Sequence, residues 1–78
     1  MKTVREFLLH DTQVGELCVI RDQGWIVATV WVDSEDLFAG YLGEAVRDWT
    51  VQSDSWGTIG VYDKNGQQTR IPCHYIDC

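Results

Sequence analysis

Five residues carry the side chains best suited to chemistry: His10, Cys18, Cys73, His74 and Cys78. All can ligate metal, and a Cys–His pair is also the nucleophile and base of thiol catalysis. Their spacing favours neither. A structural zinc site draws on two close ligand pairs, and Cys-His-x3-Cys at 73–78 is not that pattern. In an extended chain adjacent side chains point to opposite faces, so Cys73 and His74 could share an ion only through a bend at Pro72. The expectation is a buried Cys73 and an exposed His74. No G-x-S-x-G, P-loop or G-x-G-x-x-G occurs. The residues therefore predict a non-enzyme with no cofactor, and a metal or small-molecule module using the cysteines is the lesser alternative. Three cysteines are an odd number, which suits free thiols in a reducing compartment better than a disulfide framework.

The elements that must position these residues make one small α+β domain, residues 1–78. Nine aromatic residues and 45% apolar composition describe a globular chain. "TVREFLLH" predicts a helix, with Thr3 and Glu6 at capping-box spacing and Val4, Phe7 and Leu8 on one stripe. Leu17–Arg21 and Trp25–Val32 predict a hairpin closed by Asp22-Gln23-Gly24. In its second strand Ile26, Ala28, Val30 and Val32 share one face, and Trp25, Val27, Thr29 and Trp31 the other. Ser34 suits the N-cap of a second helix carrying Leu37, Phe38, Tyr41 and Leu42, with Gly43 just past its end. Three more strands are expected: one around Trp49 and Val51, one through Ile59 and Val61, and one through Ile71, Cys73 and Tyr75. Asn65-Gly66 reads as a type I′ turn, and Pro72 puts the last strand at an edge or bends it. The predicted order is α-β-β-α-β-β-β, an antiparallel sheet of about five strands with two short helices on one face.

Twelve acids against six bases leave a net charge of −6. Direct nucleic-acid binding is not expected, because it depends on Lys and Arg neutralising phosphates. No 18-residue apolar run and no signal-peptide pattern is read, so no membrane association and a cytoplasmic location are expected. Glu35 and Asp36 fall in the predicted first turn after Ser34, where the helix dipole favours negative charge. With Asp33, Glu44 and Asp48 they could also form an acidic edge. Trp49 is expected in the core, and Trp25 and Trp56 beside glycines at turns. Trp31 is expected on an uncovered sheet face near Tyr62, and exposed aromatics of that kind anchor interfaces.

"TVREFL", the hairpin with a polar turn, the acidic-capped helix, "W.V" and "GTIGVY" together resemble small proteins carried by phages and mobile elements of Gram-positive gut bacteria. The size and acidity are also similar in type to anti-CRISPR and other anti-defence proteins. The resemblance implies a protein acting in the host cytoplasm that binds and inhibits a host defence protein. The expected partner is a nucleic-acid-binding nuclease complex, met through Trp31, Asp33, Glu35, Asp36, Glu44, Asp48 and Tyr62. The alternative is a homo-oligomerising structural domain, a homodimer through the sheet face.

Overall fold

In the computed structural model, which describes residues 1–32 and 44–78, the elements are α1 (Val4–His10), β1 (Leu17–Asp22), β2 (Trp25–Trp31), α2 (Glu44–Arg47), β3 (Ser53–Tyr62) and β4 (Gln68–Asp77). Leu17, Cys18, Val19 and Ile20 are buried in succession. Four consecutive buried positions need cover on both faces and a strand at each edge. The sheet supplies both edges, in the order β2-β1-β4-β3. β1 pairs antiparallel with β2 and parallel with β4, and β4 pairs antiparallel with β3.

The fold class is α+β, as expected, but the described sheet has four strands and is mixed. The strand expected around Trp49 and Val51 is reduced to a single bridge, Thr3 to Thr50. The backbone there binds the start of α1 instead: the Val4 N–H donates to the Trp49 carbonyl, and the Val51 N–H to the Lys2 carbonyl. Trp49 packs partly buried against the core. The parallel pair arises because β4 inserts between β1 and β3 rather than lying at an edge. Pro72 is compatible with that position, since pairing with β1 begins two residues later, at Cys18 opposite His74.

Thr3 caps α1 through the expected box: its hydroxyl accepts from the Glu6 N–H, and the Glu6 carboxylate accepts from the Thr3 N–H. The stripe Val4, Phe7 and Leu8 is buried against Cys18, Ile20, Val30, Val32 and Ile76. Val46 of α2 packs against the same cluster, so both described helices sit on one face. The helix expected after Ser34 falls outside the described residues, and Glu44–Arg47 is helical where the next strand was expected to begin. A second cluster, Leu17, Val19 and Cys73 with Ile59, Ile71 and Tyr75 against it, occupies the opposite face.

The first hairpin turns at Gln23 and Gly24, whose φ values of 52° and 85° are the paired positive angles of a type I′ turn. The second turns differently from expectation. The Gly66 N–H donates to the Asp63 carbonyl, only Gly66 of the loop has positive φ, and Asp63 Oδ1 accepts from the N–H groups of Asn65 and Gln67. This is a type I turn completed by a left-handed glycine, with the aspartate holding the loop. A bulge also corrects the faces assigned to β2. The register moves from Ile20–Ala28 to Arg21–Ile26, leaving Val27 as the extra residue. Beyond it Ile26 joins the face of Arg21, and Trp25 turns to the helix side.

Candidate functional site

His74 is buried, only 3% exposed, which corrects the expectation of an exposed imidazole. β4 is a central strand, and the Phe7 edge and the stacked Trp56 indole close over the ring, with centroids at 5.2 and 4.2 Å. Trp56 is therefore a mid-strand residue of β3 opposite His74, not a turn residue. The imidazole Nε2 is 2.8 Å from Asp54 Oδ2, while Nδ1 is buried with no hydrogen-bond partner among the described residues. A carboxylate accepts, so Nε2 is the donor. A His–Asp pair serves as a general base only when the second nitrogen reaches substrate. Here that nitrogen faces the interior. An open space of about 550 Å³ is lined by His74 and Asp54 themselves, with Phe7, Trp56, Lys2 and Asp11. Lys2 and Asp11 are already paired to each other across it.

Cys18 and Cys78 offer no better nucleophile. Cys18 lies on the helix side, Cys73 on the other, and all three cysteines are free. Burial, followed by the nearby Glu16 and Cys73, pushes the Cys18 thiol up to about 12. Burial also raises Cys78. The thiolate is the attacking form, so a shift in this direction makes a poorer nucleophile. Among the described residues, no three His, Cys, Asp or Glu side chains gather as a metal site would require.

What remains is apolar surface. The β3–β4 hairpin runs on past the start of β1, and a groove of about 470 Å³ opens where they part. Leu17, Ile71, Pro72 and Cys73 line it, and Trp31 and Trp56 border it. These two indoles are 57% and 65% exposed. Among the described residues that line it, Glu16 is the only charged one. No family model, curated protein or solved structure matches the chain. The groove must be read from its own chemistry.

The expected site residues are only partly brought together. Trp31 is exposed, on the face of Leu17 and Thr29 at one end of the strand order. Tyr62 is also exposed, at 73%, but it lies on β3 at the opposite end and, opposing Gln68, on the other face. The two do not form one aromatic patch. Asp48 is exposed and pairs with Arg5 at 3.4 Å. Glu44 opens α2. Asp33, Glu35 and Asp36 lie outside the described residues. Trp56 is the groove residue that sequence reasoning missed. The alternation Asp54, Trp56, Thr58 was its one signal, and the adjacent Gly57 disguised it as a turn.

Proposed function

We propose that this chain is a non-enzymatic protein-binding module that takes apolar side chains of a partner into the groove between Trp31 and Trp56. The observation that carries the reading is the pair of exposed indoles on an apolar lining. Large aromatics at the rim of a preformed groove are the residues that dominate binding energy when a partner excludes water from them. Outside the groove, the buried Nδ1 of His74 and the raised Cys18 thiol weigh against a general base or a thiol nucleophile at those two residues.

The net charge of −6 favours a basic partner. A nucleic-acid-handling defence protein of the host, inhibited by an acidic surface that competes with its nucleic acid, fits that charge and the resemblance in sequence. The test is capture from host lysate, followed by affinity measurements on the co-purified protein. Trp31→Ala should weaken binding at least tenfold. Reversing charge with Asp48→Lys and Glu44→Lys should weaken it further and flatten its salt dependence. Unchanged affinity in the Trp31 variant would overturn the groove. An unchanged salt slope in the charge variants would overturn the nucleic-acid competition.

A further inference from the structure

β2 ends the strand order, and among the described residues nothing pairs with its outer edge. Which backbone groups point outward follows from Val32. Its N–H donates to the Glu16 carbonyl, and its carbonyl accepts from the Gly15 N–H. Both Val32 groups thus face β1. By the alternation of an antiparallel ladder, so do those of Val30 and Ala28, while Thr29 and Trp31 present their N–H and C=O groups outward. Protected edges usually carry a lysine, a proline or a bulge. Trp25–Trp31 contains no charged residue and no proline. Its one bulge, at Val27, guards only the half toward the turn. The half from Ala28 to Trp31 is regular, and among the described residues its outer edge is unpaired.

We propose that a second copy of this chain occupies that edge, the two β2 strands pairing antiparallel about a two-fold axis at Val30 so that two four-stranded sheets become one of eight. This register sets Thr29 opposite Trp31 of the second copy, and Trp31 opposite its Thr29. Both are outward-pointing residues, so the two pairs exchange four backbone hydrogen bonds. Thr29 and Trp31 share a face, so no side chain is forced through the sheet. The two Trp31 side chains become diagonal neighbours, at roughly 7–8 Å, within reach of aromatic rings. The pairing stays clear of the Val27 bulge. The contact is an isologous one that closes on itself. Each copy carries −6, but the paired strands are uncharged, so no like charges meet directly across the contact.

The area limits the affinity. One strand pair and an indole bury a few hundred Å² per chain, below the roughly 800 Å² per partner of a standard interface. The dimer is therefore reversible. Because both copies are acidic, added salt strengthens it by screening their repulsion. This inference is independent of any foreign partner and is read by mass alone.

The experiment is sedimentation equilibrium of the full chain from about 10 μM to about 1 mM, at low and high salt. The parent should pass from monomer to dimer, more readily at high salt. Thr29→Pro deletes one outward N–H that no described residue pairs with, a substitution an edge strand accepts. Thr29→Lys adds the charge by which natural edges are guarded. Either should weaken dimerisation at least tenfold, and Trp56→Ala should leave it unchanged. A parent that stays monomeric throughout, or a dimer indifferent to both Thr29 variants, would overturn the proposal. If Thr29→Pro fails to fold, the Lys variant alone decides.

Discussion

The Tyr75 ring lies across the face of Gly57: a Cβ built on that glycine would stand 2.8 Å from Tyr75 Cε2. The ring cannot swing away cheaply. Its hydroxyl donates to the Thr58 carbonyl at 2.7 Å, and the Arg21 guanidinium sits 4.1 Å from its centroid. Gly57→Val should therefore cost about 1–3 kcal/mol, in the range of overpacking substitutions. Gly60→Ala meets the flexible ends of Gln68 and Arg70 and should cost less. Urea titration of both variants measures this. Equal midpoints for Gly57→Val and the parent would mean that the ring yields freely.

Arg21 and Asp77 tie the parallel pair at the centre of the sheet. The contact is bidentate, at 2.7 and 2.9 Å, and each side chain is 29% exposed. The hydrogen bond to Asp77 is the main reason the Arg21 guanidinium is held above its ordinary value. A double-mutant cycle with Arg21→Ala and Asp77→Ala should give a coupling of about 1 kcal/mol, near the upper end for pairs in contact with water. The coupling should shrink in molar salt. A coupling indistinguishable from zero would make the pair incidental to the fold.

Cys18 makes stability fall on the alkaline side. Its thiol titrates near 9 when unfolded and is pushed up to about 12 in the fold, chiefly by burial. The native state then keeps a proton that the unfolded chain gives up, so its contribution is complete below about 9 and is lost as pH rises toward about 12. Cys18→Ala should be less stable at neutral pH, from the lost packing, yet show a shallower decline between those values. Thiol labelling should agree: three thiols react in denaturant, and Cys18 reacts natively only at the rate of opening. Rapid native labelling of Cys18 would contradict its burial.

His74 should prove a packing residue. His74→Phe keeps a ring between Phe7 and Trp56 and removes an Nδ1 that no described residue partners, leaving Asp54 on a side where water reaches it. His74→Ala opens a cavity and should cost about 2–4 kcal/mol, whereas the phenylalanine variant should cost less than half of that. Thermal unfolding of the two variants ranks them. If Phe were as damaging as Ala, the Asp54 hydrogen bond rather than the ring packing would be holding the cluster.

The sequence alone specified the features that close within a few residues. The Thr3–Glu6 box lies inside one helical turn, and the Val4, Phe7 and Leu8 stripe follows from helical periodicity. The first hairpin came with its two strands within a residue of their observed ends, because a glycine after a polar residue satisfies positive φ locally. Asn65-Gly66 marked the second turn correctly in place and wrongly in type, because Asp63 captures the loop backbone with its own carboxylate.

Only the tertiary structure decided the rest. Whether Pro72 marks an edge depends on where β1 begins beside it, and Arg21 and Asp77, which close the far end of that parallel pairing, are 56 residues apart. His74 is buried because Phe7 and Trp56 arrive from two other elements, and Trp25 and Ile26 change faces because β1 leaves Val27 unpaired. The groove between Trp31 and Trp56 exists only because the order β2-β1-β4-β3 leaves the end of one hairpin without a neighbour. The reason is physical. Capping and turn preferences are settled by hydrogen bonds and torsions among adjacent residues, whereas strand order and burial are settled by the competition of all strands for one core, which no short window of sequence contains.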